Sequence, residues 1–257
     1  MTETVTALRD GVAVVTGASR GLGLQLVKGF LDRGMRVAGI VRSTDVLSSL
    51  ASESDGRFLP VTANIADPEQ VKAAFAQIKN QLGPVTILIN NAAVYPRRDI
   101  LDETPASFMD TININLGGSF FACHNVLPVM MDLGFGRVIN VVTFADQAPI
   151  PFAAAYSVSK GAQRVLTKVL VAEIGDRFPN IVFTDWVPGA LQTEMGLPDG
   201  LPPEKAAQWG VTLALMDERD LQGAFFVENA QVLPPRSKKE RVVQALLGQK
   251  PVARSLD

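Results

Sequence analysis

Apolar residues fall into two alternating patterns along the 257-residue chain. Short runs rich in valine and isoleucine are separated by longer segments in which apolar residues recur with the period of an α-helix. Seven runs have the length and composition of strands, at residues 12–16, 36–41, 58–61, 85–90, 137–142, 181–186 and 224–227. Strands that are nearly continuous in apolar residues are buried on both faces, as in parallel sheets. The pattern therefore predicts an α/β Rossmann fold: a doubly wound parallel sheet of about seven strands with helices on both faces.

Capping residues mark where several helices begin. Asp67 and Thr104 each precede a proline, a combination typical of the first turn of a helix. Ser237 opens a capping box before an apolar run, which predicts a C-terminal helical extension around residues 237–248. Because no internal repeat or linker interrupts the alternation, we expect residues 1–257 to form a single domain.

Composition excludes several classes of partner and compartment. The net charge is -2, and the one basic cluster, at residues 236–241, is too short to form a nucleic-acid-binding stripe. Cys123 is the only cysteine, so no internal disulfide forms and a reducing compartment is favoured. Residues 1–10 do not resemble a signal peptide, and no apolar stretch is long enough to cross a bilayer. We expect a cytoplasmic protein with no nucleic-acid or membrane partner.

A glycine-rich turn, Thr16-Gly17-Ala18-Ser19-Arg20-Gly21-Leu22-Gly23, follows the first predicted strand and opens a helix. Such a turn lets backbone N–H groups approach a pyrophosphate, and the N-terminus of the helix adds partial positive charge. Glycine turns also end strands for structural reasons alone. Its position directly after the first strand favours a dinucleotide site with Gly17, Gly21 and Gly23 as the key residues.

Two arginines indicate which dinucleotide binds. NAD-dependent enzymes usually present a carboxylate to the ribose 2′-hydroxyl after the second strand, but Val41 and Arg42 occupy that region here. Arg42 can clamp a 2′-phosphate, and Arg20 would lie beside the same phosphate. The alternative is that both are solvated surface residues. A cation in the first turn opposes the helix dipole, so Arg20 is better explained by a bound anion, and NADP is favoured over NAD.

Four further motifs follow the loop: Asn90-Asn91-Ala92-Ala93, Asn115 in an Asn-Leu-x-Gly setting, Tyr156-x-x-x-Lys160, and Pro188-Gly189 with Thr193 four residues later. Together with the glycine loop, their order and spacing resemble those of the short-chain dehydrogenase/reductase family across nearly the whole chain. The resemblance implies an NAD(P)-dependent enzyme that transfers a hydride between the nicotinamide and a carbonyl or secondary alcohol.

The resemblance also implies site residues. The catalytic residues would be Asn115, Thr143, Tyr156 and Lys160. The cofactor-binding residues would be Gly17, Ser19, Arg20, Gly21, Leu22, Gly23, Arg42, Asn64, Ile65, Asn91, Ala92, Tyr156, Lys160, Pro188, Gly189 and Thr193.

Each catalytic residue has an expected role. Tyr156 would act as general acid or base, and the nearby positive charges of Lys160 and the oxidised nicotinamide favour its phenolate. Lys160 would also bind the nicotinamide ribose. Thr143 would hold the substrate oxygen, and Asn115, rather than its neighbour Asn113, would position a water that relays the proton.

Three positions depart from the family pattern. Thr143 stands where the family mostly has serine, and it keeps the hydroxyl donor while adding a methyl group. Ala93 replaces a glycine, and Asn64 replaces an aspartate that faces the adenine. The amide oxygen of Asn64 can still accept a hydrogen bond from the adenine amino group.

The segment 189–210, rich in glycine and proline, is expected to form a substrate lid because ligands bind beyond the carboxyl ends of such sheets. Apolar residues there and on neighbouring loops are expected to line the pocket: Met195, Leu197, Trp209, Tyr95, Phe144 and Phe152. We therefore expect an uncharged ketone or secondary alcohol as the small-molecule substrate. His124 is the only histidine, so no zinc site is expected.

Relatives usually pair through the helices that carry Asn115 and Tyr156, so a homodimer or homotetramer is expected. Broad apolar faces on these segments, including Val165, Leu166, Val169 and Leu170, agree with this. Two alternatives remain. One is a catalytically silent NADP-binding sensor of the same fold, supported by Thr143 and the unusual C-terminus. The other is an epimerase or dehydratase acting on a nucleotide sugar, whose usual glycine spacing and longer C-terminal domain are not found.

Overall fold

An eight-stranded sheet forms the centre of the computed structural model, which describes residues 3–217, 221–233 and 252–257. The predicted helix at 237–248 lies outside these residues. The strands are β1 (Val12–Thr16), β2 (Arg36–Val41), β3 (Phe58–Thr62), β4 (Val85–Asn90), β5 (Gly136–Val141), β6 (Ile181–Val187), β7 (Phe225–Val227) and β8 (Ala230–Val232).

The strand order is β3-β2-β1-β4-β5-β6-β7-β8, and all neighbours are parallel except β7 and β8. The order reverses between β1 and β4, where the connections on either side leave in opposite directions. In a doubly wound sheet a crevice opens at this point, outside the carboxyl ends of the strands. The predicted fold is therefore confirmed.

Helices cover both faces of the sheet and create two hydrophobic cores. They are α1 (Glu3–Asp10), α2 (Gly21–Asp32), α3 (Ser48–Glu53), α4 (Pro68–Gln81), α5 (Pro105–Ile112), α6 (Gly118–Leu133), α7 (Ala154–Ile174) and α8 (Pro203–Leu215). One core contains α1, α2 and α8, with the buried side chains of Phe30 and Trp186. The other contains α4, α6 and α7, with Ile78 and Phe183. No helix in the described segments is long and apolar enough to cross a membrane.

The predicted helix starts at Asp67 and Thr104 are confirmed. The carboxylate of Asp67 accepts hydrogen bonds from two backbone N–H groups of α4, and the hydroxyl of Thr104 accepts one from Ser107. Helix α1 has no counterpart in the sequence-based description, because only Leu8 of its eight residues is buried. A helix with so small an apolar face gives a weak periodic signal.

The count of seven strands is one too few. After β7 the chain reverses at Glu228, whose φ of 52° lies in the left-handed region, and β8 pairs back onto β7. Strand β8 is three residues long with Gln231 at its centre, so it carries neither a buried apolar run nor a clear alternation. The edge of the sheet is therefore a short antiparallel hairpin.

The segment predicted as a lid divides into a loop and a helix. The loop after β6 closes on itself because Leu201 exchanges backbone hydrogen bonds with Ala190 and Gln192, on either side of Leu191. Helix α8 then begins at Pro203. Trp209 on α8 is 6% exposed, belongs to the core, and donates its indole N–H to Asp257. Its predicted place in the substrate pocket is wrong, because its position in the helix turns it towards the sheet rather than the cleft.

Helix α7 presents a narrower apolar face to solvent than the sequence pattern predicts. Val165 and Val169 are 56% and 41% exposed, as expected for an outer face. Leu170 is buried in the core at 8% exposure, and Leu166 packs partly against the same core. Residues one position apart point about 100° apart around a helix, so these leucines turn inwards.

Candidate active site

A cleft of about 460 Å³ lies at the carboxyl end of the sheet, next to the point where the strand order reverses. Arg20 and Arg42 line one part of it, Tyr95 lines another, and Glu194 and Met195 come from the loop after β6. The glycine loop, the loop after β4 and the loop after β6 therefore meet at one cleft, as the motifs predict.

The glycine loop is fastened to the end of β4. The hydroxyl of Thr16 accepts hydrogen bonds from the backbone N–H groups of Asn91 and Ala92 at 3.0 and 2.9 Å. In return the side-chain amide of Asn91 donates to the carbonyl oxygens of Thr16 and Gly17, at 2.8 and 3.3 Å. Asn91 and Ala92, predicted as cofactor-binding residues, thus hold the glycine loop in place through hydrogen bonds from the end of β4.

The loop forms a cradle that only glycine permits. Gly17 and Gly21 have φ values of 69° and 52°, in the left-handed region. A Cβ on Gly23 would lie 2.2 Å from the carbonyl oxygen of Gly17. Helix α2 has neither a side-chain cap nor an acidic residue in its first turn, so its first N–H groups remain available to an anion. The cradle fits the pyrophosphate of a dinucleotide.

Arg20 and Arg42 lie on the same cleft, as predicted. Arg20 pairs with Glu194 of the loop after β6 at 2.5 Å, and both side chains are exposed. This ion pair joins the loop after β6 to the start of α2. Among the residues described, no carboxylate pairs with Arg42. Arg42 is therefore the cation that remains available to a second anion in this cleft.

The residues predicted at the adenine end lie after β3. The side-chain oxygen of Asn64 accepts a hydrogen bond from the backbone N–H of Ala66 at 3.1 Å, which uses one of its two lone pairs. Ile65 is 9% exposed and packs against α6, where a Cβ on Gly118 would lie 2.7 Å from it. Leu22, also predicted at the cofactor site, turns its side chain into the core at 7% exposure.

The loop after β6 approaches the glycine loop. A Cβ on Gly21 would lie 3.2 Å from the methyl group of Thr193, so the two segments are in close proximity. Gly189 has a φ of 94°, which turns the chain immediately after Pro188 and β6. The segment 188–193 thus borders the same cleft.

Thr143 lies beside Tyr156 beyond the end of β5, close enough for its hydroxyl to act on the pKa of the tyrosine. Burial raises the pKa of Tyr156, the Thr143 hydroxyl opposes this shift, and Tyr95 adds to it. The ring of Tyr95 packs on that of Tyr156 with centroids 4.6 Å apart. The sequence-based expectation was a pKa favouring the phenolate, but in the protein alone burial dominates and favours the neutral hydroxyl.

Lys160 lies one turn after Tyr156 on α7 and is 2% exposed. Its Nζ donates to the carbonyl oxygen of Val141 at 2.7 Å and to Oε1 of Gln163 at 2.9 Å. Burial lowers its pKa to about 7, and Asp185 on β6 opposes this shift. The structure thus brings the predicted pair together and adds an acceptor, Gln163, that the sequence analysis missed.

Asn115 lies in a π-helical turn, Asn113–Gly117, between α5 and α6. It is fully buried, whereas Asn113 is exposed. Its side chain accepts from the N–H of Val94 at 2.8 Å and donates to the carbonyl of Val94 and the hydroxyl of Ser159, both at 3.0 Å. These bonds hold the loop after β4 against α7, and none of them reaches Lys160.

His124 lies on α6 with its ring 6.0 Å from that of Phe120 and roughly parallel to it. Across the part of the chain that the structure describes, no group of three or more histidine, cysteine, aspartate or glutamate residues is placed to hold a metal ion. Cys123 is buried, and desolvation raises its pKa to about 12.

Comparison with known proteins identifies the family. The family model described as short chain dehydrogenase matches residues 11–199. The chain is 35% identical to 2-(R)-hydroxypropyl-CoM dehydrogenase of Xanthobacter autotrophicus over 191 residues, 72% of this chain and 76% of the relative. The chain belongs to the short-chain dehydrogenase family, whose members are oxidoreductases that use nicotinamide cofactors.

Two further matches agree with this family assignment. Carbonyl reductase (NADPH) 2 of Sus scrofa is 35% identical over 196 residues, which cover 76% of this chain and 77% of the relative. Among solved structures, a blue fluorescent protein from a metagenomic library in complex with NADPH superposes with a TM-score of 0.78 at 30% identity, covering 86% of this chain and 96% of that one. Sequence and fold therefore point to the same family.

The cradle can be tested by replacing Gly23 with alanine. Because the new Cβ would lie 2.2 Å from the Gly17 carbonyl, the loop must shift, and we expect NADPH affinity to fall by at least about tenfold in calorimetry. Gly34→Ala is the matched control: its φ of 78° strains alanine by about 1 kcal/mol, but no atom lies within 4 Å of the added Cβ. That variant should lose stability and keep its affinity, and unchanged NADPH binding by Gly23→Ala would contradict the cradle.

Proposed function

We propose that the protein is an NADP(H)-dependent oxidoreductase that interconverts a ketone and a secondary alcohol, with Tyr156 as the general acid or base. The observation that carries this proposal is the juxtaposition of Tyr156, Thr143 and the buried Lys160. Tyr156 packs against Tyr95, which lines the cleft next to the glycine loop. A proton donor, a hydroxyl group and a cation are the groups that reduction of a carbonyl requires.

The proton chemistry follows from the surroundings of Tyr156. Because burial raises its pKa, the hydroxyl is protonated at neutral pH and can donate to a carbonyl oxygen as that oxygen becomes negative. Thr143 offers a second hydroxyl at the same oxygen and so stabilises its developing charge. The nicotinamide supplies or accepts the hydride. In the oxidative direction, the positive charge of Lys160 would favour the tyrosinate that takes up the proton.

Arg42 supports NADP over NAD. It lines the cleft, and within the described residues no carboxylate competes for it, whereas Arg20 is paired with Glu194. A planar guanidinium matches a 2′-phosphate through two parallel hydrogen bonds. The names of two similar proteins, carbonyl reductase (NADPH) 2 and the blue fluorescent protein in complex with NADPH, are consistent with this assignment.

The substrate we propose is uncharged and partly apolar. Tyr95 packs against Tyr156, so a substrate that reaches the Tyr156 hydroxyl would also contact the aromatic ring of Tyr95. Five large apolar side chains on the loops after β5 and β6 are between 43% and 57% exposed: Phe144, Ile150, Phe152, Met195 and Leu197. An aromatic or alicyclic ketone would cover such surface. NADPH as cofactor makes reduction the favoured direction.

The proposal is tested with Tyr156→Phe, titrations of NADPH and NADH, and a panel of carbonyl compounds. Removing the hydroxyl should lower kcat by at least about a hundredfold, because general acid catalysis is lost, while NADPH affinity stays close to that of the wild type. Tyr95→Phe removes the same group from the facing ring and should lower kcat far less.

The outcomes separate the candidate functions. Tight NADPH binding by the native protein with no turnover on a broad panel would favour a binding-only sensor. Failure of the native protein to bind either dinucleotide would contradict the cofactor site itself. Equal activity of Tyr156→Phe and the native protein would contradict the assigned acid.

Cofactor preference is tested at Arg42. We expect Arg42→Gln to weaken NADPH binding by about tenfold or more, since a hydrogen bond to a charged group is worth about 1.5–3 kcal/mol, and to leave NADH binding nearly unchanged. Arg42→Lys keeps the charge without the planar fork and should give an intermediate affinity. Equal losses for both cofactors would show that Arg42 does not read the 2′-phosphate.

A homodimer or homotetramer is also proposed. The outer face of α7 exposes Val158, Val165 and Val169, and α6 exposes Phe120 next to His124. Adjacent exposed apolar residues are typical of a surface that another subunit covers. Light scattering should give at least twice the monomer mass of 27.5 kDa. A single species at the monomer mass would contradict the assembly.

The cytoplasm is the proposed location. Cys123 is free and buried, so no disulfide constrains the protein to an oxidising compartment. Localisation of a tagged full-length chain by microscopy or fractionation tests this, and recovery from an oxidising compartment would contradict it.

A further inference from the structure

The ammonium of Lys160 uses two of its three N–H donors on buried acceptors. One acceptor is the main-chain carbonyl of Val141 at the end of β5, and the other is Oε1 of Gln163, one turn further along α7. Gln163 is 0% exposed, so water does not replace it as an acceptor. One N–H of Lys160 therefore remains for a group in the cleft.

The orientation of the Gln163 side-chain amide is fixed by the hydrogen bond of its NH₂ group. Its Nε2 lies 2.7 Å from the hydroxyl oxygen of Ser119 on α6. The hydrogen of that hydroxyl is already donated to the main-chain oxygen of Asn115, at 3.0 Å. Ser119 must therefore accept from the NH₂ end of the amide, and the oxygen of Gln163 must face Lys160. A fixed acceptor at this position favours the protonated amine.

The other charged groups around Lys160 are few. Asp185 of β6 is the carboxyl group that acts on it electrostatically, and its Oδ1 is bonded to the hydroxyl of Thr167 at 2.5 Å. Tyr156 is the titratable neighbour on the same helix, β5 supplies the carbonyl oxygen of Val141, and α6 supplies the neutral Ser119 that holds Gln163. Within the described residues, Gln163 is the side chain that lies within hydrogen-bond distance of Nζ.

We propose that Gln163 is a positioning residue that keeps the buried Lys160 protonated and holds its third N–H towards the cleft. This inference rests on the proposed function, because Lys160 is assigned there to the positive charge beside Tyr156. Gln163 is 0% exposed and its side-chain oxygen bonds Lys160, so it acts through Lys160. None of the sequence motifs described above contains Gln163.

The direct test is the titration of Lys160 in the cofactor-free protein. Full-length protein labelled with ¹³C-lysine reports each amine through its ¹³Cε shift, and Lys160→Met assigns the signal. Gln163→Leu removes the acceptor and should lower the titration midpoint of Lys160 by about one pH unit or more, the shift expected for a hydrogen bond to a charged group. Gln163→Glu keeps an acceptor, adds negative charge and should raise the midpoint.

Gln222→Leu is the matched control. Its amide is also partly buried, but it bonds the main chain of Phe183 and Ile181 in another part of the sheet. This variant should lose stability without moving the midpoint of Lys160. A midpoint in Gln163→Leu equal to that of the wild type would overturn the proposal. If that variant does not fold, an unchanged midpoint in Gln163→Glu overturns it, and a raised midpoint supports it.

A second readout uses the complete enzyme. In Gln163→Leu the alkaline fall of kcat/KM should move to lower pH by about the same interval, and NADPH affinity above neutral pH should decrease. In Gln163→Glu the alkaline fall should move to higher pH. If the native protein neither binds NADPH nor turns over a carbonyl, the proposed function fails, while the titration still decides whether Gln163 controls Lys160.

Discussion

Burial of the Lys160 ammonium is the interaction on which the rest of the site depends. Removing a charge from water costs several kcal/mol unless acceptors replace the lost hydration. The acceptors come from the end of β5, from α7 itself and, through Ser119, from α6. The relative placement of three elements is therefore fixed by one side chain. The same placement brings Tyr156 next to Thr143.

A second set of hydrogen bonds shapes the other half of the cleft. Thr16 and Asn91 exchange bonds between the ends of β1 and β4, the strands that flank the reversal of strand order. These bonds leave the N-terminus of α2 open towards the cleft, because the loop is held from the side of the sheet. Close packing of Gly23 on Gly17 keeps side chains out of the cradle. Polar residues thus fix the loop, and glycines leave room for the ligand.

The sequence predicted the sheet and the positions of the motifs because both depend on local patterns. Buried parallel strands are recognisable as apolar runs, and Tyr156 and Lys160 are neighbours by helical spacing alone. Features set by tertiary packing were less accessible. Trp209 was assigned to the pocket because the segment 189–210 that contains it is rich in glycine and proline, whereas α8 turns it into the core. The direction of the Tyr156 pKa shift depends on burial, which a sequence does not give.

Gln163 shows how much of a buried hydrogen-bond network a sequence can indicate. A glutamine three residues after a lysine lies on the same side of a helix, so the spacing alone permits contact with Lys160. What sequence reasoning lacked was its burial and its partner Ser119, which comes from another helix. Asn115 is a similar case: its selection over Asn113 followed from the motif, but its bonds to Val94 follow from the π-helical turn.

The most direct test of the central claim is to follow the hydride itself. A ketone reduced by the protein with NADPH deuterated at the nicotinamide C4 is analysed by mass spectrometry, using each of the two C4 stereoisomers in turn. The account predicts one deuterium on the carbinol carbon of the product from one stereoisomer and none from the other, because a fixed cofactor presents one face. Product formed without deuterium from either stereoisomer would contradict hydride transfer from the cofactor.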